Sequence, residues 1–497
     1  MEGQGKARNS PSYLKITPGK AGLKDLSRLL RGSDLRDRDF VQSSDETEVE
    51  FKYRLLIFIS TLVQKLLIFF STPLAAAGWV IETTLNFLSN NPNPRAFITN
   101  LVAGTLIPPR DSANFVSFIG HLDKRRKWDS DIKRGDGLWY YSALCMMASK
   151  AAYENPAYIQ SIVNDWEMVE FLGFYNCWND YQKKAMTGTF FLRVKGDDHD
   201  TVVVAFRGTE PFNADNWCTD WDLSQKQLGD TGSVHDGFMK ALGLPEDCQD
   251  DPNFFNWPVE YKENRTGEYP LAYYFIRHKL KQLLNKSDKT RFIVTGHSLG
   301  GALAILLPTI LLYHGENFLL QRLEGVYTFG QPRVGDGKFA QFMENKLKEH
   351  DIRHLRFVYD FDMVPRLPFD DKDHWYKHFG KCLYYDCHYN GKVVTVLPDK
   401  NYFSLVFAGV TMMSAVYVLV ESFMVSMYMI MSAMYELVRS FTIQYTEGPY
   451  YKEGWLSRAT RIPGLVMPGV SDHSPLGYVN CTCLESPEDL LESSTVK

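Results

Sequence analysis

The chain has 497 residues, room for about three average domains, and with 45% apolar and 23% charged side chains it is neither a wholly disordered polymer nor one embedded entirely in a membrane. Its 54 basic and 59 acidic residues leave a net charge of −5, which excludes global electrostatic attraction to nucleic acid.

Residues 1–50 are polar, basic up to Arg38 and acidic from Asp39 to Glu50. They read as a solvated flexible tail, or else as a basic segment lying against anionic lipid headgroups. The first strongly apolar run begins only at Leu55, so no secretory signal is expected at this end. Residues 55–81 carry a single charge, Lys65, and are long enough for a membrane span. On a helix, however, Ser60, Thr61, Gln64, Lys65, Ser71 and Thr72 share one arc of roughly 140°. A spanning helix has no need of such sorting, whereas a helix lying in an interface does. The favoured expectation is therefore an interfacial helix or a hairpin kinked at Pro73, with the polar arc toward water. A true span and a buried core helix remain the alternatives.

Residues 201–209, TVVVAFRGT, read as a buried strand entering a loop. Residues 210–222 follow, with Trp217 and Trp221 four apart on one helical face. RFIVTGHSLGGA, residues 291–302, is an apolar strand, a glycine-rich turn and the start of an apolar helix. Its Gly296-His297-Ser298-Leu299-Gly300 is a G-x-S-x-G elbow. Minimal side chains two positions either side of Ser298 let a tight strand-to-helix turn expose the serine oxygen at the sheet edge.

A nucleophilic serine needs a base and a group that orients the base. RHLRFVYDFDMVPRLPF, residues 353–369, reads as a strand ending at Asp360 and Asp362, and either carboxylate could serve. Eight cysteines are too few for a disulfide framework, and the thiols read as mostly reduced. Cys382 and Cys387 lie near His378 and His388, and Cys481 and Cys483 form C-x-C, but neither spacing is a standard zinc pattern, so no metal site is expected. Residues 402–439 form a second apolar segment with seven of the chain's 16 methionines. Ser404, Thr411, Ser414, Glu421, Ser422, Ser426, Ser432, Glu436 and Arg439 again share an arc of about 140°. Such a face suits acyl chains, or else a core or oligomer contact. Gly469-Val470-Ser471-Asp472-His473 then places one of 12 histidines in a turn-rich loop.

Together GHSLGGA, FRGT, TFGQPRVG (328–335), DMVPRLP and the late DH resemble the fungal-type, class 3 triacylglycerol lipases. With the N-terminal apolar segment and the Met-rich insertion, the chain is most similar to the plant oil-body lipases. The resemblance covers roughly residues 135–485 and implies an α/β-hydrolase fold with a mostly parallel central sheet. It implies Ser298 as nucleophile, Asp362 in preference to Asp360 as orienting acid, and His473 as base. Leu299 and Thr209 would form the oxyanion hole, and residues 210–222 a lid whose Trp217 and Trp221 meet lipid on opening. The expected activity is hydrolysis of triacylglycerols, and of di- and monoacylglycerols, on a lipid droplet with the catalytic domain toward the cytosol. No metal or organic cofactor is implied. A phospholipase, galactolipase or acyltransferase of the same fold is the alternative, and a non-catalytic droplet scaffold a remote one. Asp362 and His473 stand 111 residues apart, farther than in the compact fungal enzymes, and the apolar insertion fills much of the excess. The expected organisation is a polar tail (1–50), an apolar anchoring segment (51–94), a connecting region (95–134) and a lipase domain (135–497) interrupted at 400–441.

Overall fold

The computed structural model describes residues 14–32, 35, 39–43, 51–244, 257–261, 269–368, 376–398, 415–467 and 469–495. Residues 401–414 of the second apolar segment, with Ser404, Thr411 and Ser414, lie outside them. The strands are β1 (Leu14–Ile16), β2 (Val41–Ser43), β3 (Val169–Asn179), β4 (Lys184–Val194), β5 (Thr201–Phe206), β6 (Gln225–Gln227), β7 (Ser233–His235), β8 (Arg291–His297), β9 (Leu323–Phe329), β10 (Arg353–Tyr359), β11 (Lys381–Tyr385) and β12 (Gly391–Val394). Eight of them form one sheet in the order β12-β11-β10-β9-β8-β5-β4-β3. Neighbours from β11 to β5 pair in parallel, and the outer pairs β3–β4, β4–β5 and β11–β12 are antiparallel.

A strand's side chains alternate between faces, and β5 is buried on both. Val202, Val204 and Phe206 join one core with the helices Asp236–Leu242, Ala272–Leu284 and Leu299–Tyr313, while Val203 and Ala205 join the other with Gly137–Ala151 and Pro475–Leu484. Helices on both faces of a mainly parallel sheet bear out the expected α/β-hydrolase architecture. Because β5, β8 and β10 run in parallel, Thr209, Ser298 and Asp362 all follow C-terminal strand ends at one edge.

The helices that bear on the site are α1 (Leu23–Arg31), α2 (Phe51–Phe69), α3 (Ser71–Asn90), α4 (Pro94–Ala103), α5 (Phe118–Leu122), α6 (Ala214–Trp221), α7 (Leu299–Tyr313), α8 (Ala415–Thr446), α9 (Trp455–Gly464) and α10 (Pro475–Leu484). The described part of residues 1–50 departs from the expected solvated tail. There β1 pairs with β2 and β6 in a second small sheet, and Leu14, Leu26, Leu29, Phe40 and Val41 are buried with Leu56, Leu223, Met363 and Tyr376. Scattered apolar residues in a polar stretch thus find a shared core under the lipase domain.

The apolar segment breaks at Phe70 rather than at Pro73, which sits in the first turn of α3 where a missing N–H is tolerated. No single described helix is long and apolar enough to cross a membrane; α2 and α3 meet at 61°. The polar arc of α2 does not face water. Ser60, Thr61 and Gln64 are fully buried. The Ser60 hydroxyl donates to the Trp221 carbonyl at 2.7 Å, Gln64 Nε2 to Ser60 Oγ at 3.1 Å, and the Cys218 thiol to the Gln64 carbonyl at 3.7 Å. The outer face instead exposes Leu66, Ile68, Phe69 and Phe70, and Trp79 and Val80 of α3 and Ile98 and Val102 of α4 are exposed as well, so exposed apolar side chains extend past residue 94 into the expected connecting region. From Ser432 onward α8 is inverted in the same sense: Ser432, Glu436 and Ser440 are buried, and Met431, Met434, Val438 and Phe441 are exposed.

Candidate active site

Ser298 occupies the turn between β8 and α7 with φ 59° and ψ −132°. This strained conformation persists because its surroundings over-determine it. The elbow also needs room. A Cβ on Gly300 would lie 2.4 Å from the Phe206 carbonyl oxygen, and one on Gly208 would lie 2.5 Å from that of His297. The two glycines therefore let the FRGT loop approach the elbow.

His473 stands in the loop between α9 and α10. Its Nε2 lies 2.8 Å from Ser298 Oγ, and its Nδ1 lies 2.8 Å and 3.0 Å from the two Asp362 oxygens. The structure thus brings Ser298, His473 and Asp362 into one line. Asp360 is not in that line: its carboxyl accepts from Tyr384 and Ser432 and is raised to about 7, chiefly by burial and then by the nearby Glu436. Asp362 is fully buried, and besides the imidazole it accepts from the Val364 N–H at 2.9 Å and from the Tyr478 hydroxyl. These donors hold the carboxylate in place against the imidazole. The buried Arg366 guanidinium fixes the same loop through the carbonyls of Asp360, Asp362 and Pro398.

His297, a neighbour in the elbow motif, reaches back to the base. Burial holds its pKa well below the usual value, so the ring is neutral. Nε2–H then donates to the His473 carbonyl at 3.0 Å, and Nδ1 accepts from Tyr153 at 2.8 Å. The backbone of His473 is thereby tied to the turn that carries Ser298.

Leu299 is the first residue of α7, so its N–H belongs to the set a helix leaves without an intrahelical acceptor, at the positive end of the helix dipole. Thr209 is buried, and its hydroxyl donates to Asp220 Oδ2 at 2.6 Å. Asp220 belongs to α6, and burial pushes it up to about 7 against the opposing pull of the Thr209 hydroxyl and His473.

Ser298 is only 3% exposed, and the helix within the expected lid, α6, reaches the site through Asp220, which bonds Thr209 and lies near His473. Trp217 is half-buried, with its indole N–H donating to the Pro211 carbonyl, while Trp221 packs against the N-terminal core. The expected lid segment is held at both ends. Its C-terminal end is bonded to α2, and Phe212 in its leading strap lies on Gly78 of α3 and meets Phe118 edge-on at 5.1 Å. Tyr478, Asp220 and Tyr153 escape a reading of the sequence. Tyr478 sits five positions beyond His473 at the start of a helix, and the other two carry no motif of their own.

The described cysteines are free and buried, and Cys382 lies within β11. The one group of His, Cys, Asp and Glu among the described residues with atoms close enough to share an ion is Asp360, Glu436 and Asp472. Its charge is already opposed by Arg461, which pairs with Glu436 at 2.9 Å.

The class 3 lipase family model matches residues 203–372. Triacylglycerol lipase OBL1 of Arabidopsis thaliana is 38% identical over 97% of this chain and 96% of its own. The protein of the same name from Ricinus communis is 35% identical over 97% and 96%. A lipase of Rhizomucor miehei is 31% identical over 35% of this chain and 39% of its own. Near-complete coverage by the plant relatives, on a sheet that places the family motifs at one edge, decides the classification: the chain belongs to the class 3 lipase family.

Proposed function

We propose that the protein is a serine triacylglycerol lipase that works at a lipid surface, the oil body, with its catalytic domain on the cytosolic side. The observation that carries this reading is the continuous Ser298–His473–Asp362 hydrogen-bonded line beneath a lid. His473 Nε2 takes the Ser298 proton as Oγ attacks the ester carbonyl. Asp362 holds the Nδ1–H tautomer and stabilises the imidazolium. The oxyanion accepts from the N–H groups of Leu299 and Thr209, the alcohol departs with the proton from His473, and water repeats the sequence on the acyl-enzyme.

The lipid surface is supported by the two inverted helices. A helix that buries Ser60, Thr61 and Gln64 while exposing Phe69 at 76%, followed in the chain by exposed Trp79, Val80 and Val102, is poorly matched to water. Each large apolar side chain transferred from water gains about 1.5–3 kcal/mol. A lipid monolayer accommodates a bent hairpin lying along it and needs no exit on a far side. Since α2 and α3 also grip the lid, lipid seen by the hairpin bears on access to Ser298.

Three outcomes test this reading. Ser298→Ala should lower triacylglycerol hydrolysis by on the order of 10⁶, with folding intact by circular dichroism; substantial residual turnover would place the nucleophile elsewhere. Product identification on emulsified triacylglycerol and on phospholipid vesicles should find fatty acid mainly from the former, and the reverse preference would make the enzyme a phospholipase. Asp362→Asn should cost roughly 10⁴ in kcat by favouring the wrong tautomer, and Asp360→Asn less than about tenfold; the opposite ranking would exchange their roles.

For the surface, Phe69→Asp with Phe70→Asp should abolish flotation with phospholipid-coated triacylglycerol droplets while preserving turnover of a soluble short-chain ester. Undiminished flotation would move the anchor to α8.

A further inference from the structure

The long insertion between the orienting acid and the base ends in α8, and its buried face reaches the loops that carry both. Ser432 donates to Asp360, two residues before Asp362. One turn on, Glu436 accepts from the Tyr359 hydroxyl, pairs with Arg461 at 2.9 Å and has a carboxyl oxygen within 4.8 Å of one on Asp472, the residue before His473. Asp472 in turn accepts from the Phe361 N–H at 3.2 Å and the Ser471 hydroxyl at 3.0 Å. One carboxyl therefore joins the residue before the base to the residue before the acid.

Asp360, Glu436 and Asp472 are all fully buried, with oxygens within 4.8 Å of one another. Two carboxylates cannot hydrogen-bond without a proton between them. Glu436 is the member with a cationic partner, Arg461, which Glu453 also engages at 2.7 Å. The shared proton is therefore placed on Asp472, in keeping with the upward push that burial and Glu436 give its carboxyl. Arg366 faces Asp360 from the acid loop, and Arg439 stacks on Tyr389 at 3.8 Å. The pair is thus a neutral acid donating to a carboxylate, a strong charge-assisted bond.

We propose that Glu436 and Asp472 are positioning residues of the hydrolysis: their carboxyl–carboxylate bond, fixed in α8, sets the His473 loop against the Asp362 loop. This rests on the lipase reading above and deepens it. It gives the insertion a place in the catalytic machinery, since the helix whose outer face exposes Met431, Met434 and Val438 holds the base in register through its inner face. Displacements near 1 Å at a reacting group cost about 10² in rate, so loosening this tie lowers kcat rather than substrate binding.

The test uses the purified full chain and monomeric p-nitrophenyl butyrate, so that lipid docking does not enter. Asp472→Ala and Glu436→Ala should each lower kcat by at least about tenfold, with KM changed less than about twofold. Asp472→Asn keeps an oxygen for the Phe361 N–H and an N–H for Glu436, and should restore kcat to within about threefold of the parent. The double alanine variant should lose little more than the worse single one, because both remove the same bond. Where alanine prevents folding, Glu436→Asp keeps the charge opposite Arg461 but withdraws it from Asp472, and a lowered kcat is expected there too. An unchanged kcat in the folded variants, a loss carried by KM, or Asp472→Asn as impaired as Asp472→Ala would overturn the proposal. Failure of the lipase reading is recognised separately, as an absence of ester turnover in the parent protein.

Discussion

The geometry around Ser298 depends on one turn of backbone. A strand must end and a helix begin within a single residue whose φ is positive, and this is possible only where neighbouring chains come close enough to hold it. Gly208 and Gly300 provide that closeness, and the parallel pairing of β5, β8 and β10 brings the other participants to the same edge. His297 shows how tightly the pieces are interlocked: its backbone shapes the turn and its neutral ring holds the backbone of His473. The same peptide therefore constrains both the oxygen and the nitrogen that share the transferred proton.

The second constraint is a reversal of ordinary amphipathicity. In a water-soluble protein a helix turns its apolar stripe inward, yet α2 and the described side chains of α8, beside buried Leu56, Ile57, Ala433 and Ile443, turn hydroxyls, amide and carboxyl inward and leave Phe69, Met431 and Val438 outward. Burying polar groups is tolerable only if each is satisfied. Ser60 and Gln64 find partners on α6, and Glu436 finds Arg461 and Tyr359. These inward bonds put the outward apolar faces in mechanical connection with the lid on one side and with the His473 loop on the other. In the proposed setting, the lipid-facing elements and the chemistry are adjoining layers of one structure.

Some of this was legible in the sequence because the physics is local. The elbow needs small residues at fixed offsets around Ser298, the strand before it carries an apolar run at 292–294, and the strand before Asp362 ends in one at 357–359. The helical projection correctly found that residues 60, 61 and 64 share one side, but sidedness does not say which side meets the protein, and the natural assumption of water was wrong. Pro73 was a weak guide because the first helical turn tolerates it. Leu14, Leu26 and Phe40 looked like strays in a polar tail because the core they enter is assembled from residues hundreds of positions away. Tyr478, Asp220 and the Glu436–Asp472 bond share that difficulty: each is defined by a partner that only tertiary structure brings near. The preference for Asp362 over Asp360 came from the family resemblance, and the geometry supplies its reason, since only Asp362 faces the imidazole.

The central claim is that Ser298 is an activated nucleophile under a lid that lipid opens. It is tested most directly by reacting the full-length protein with a fluorophosphonate probe, with and without phospholipid-coated triacylglycerol droplets, and mapping the adduct by peptide mass spectrometry. The account predicts a single adduct on the peptide containing Ser298, formed faster when droplets are present. An adduct on another serine of folded protein, or a labelling rate at Ser298 indifferent to droplets, would contradict it.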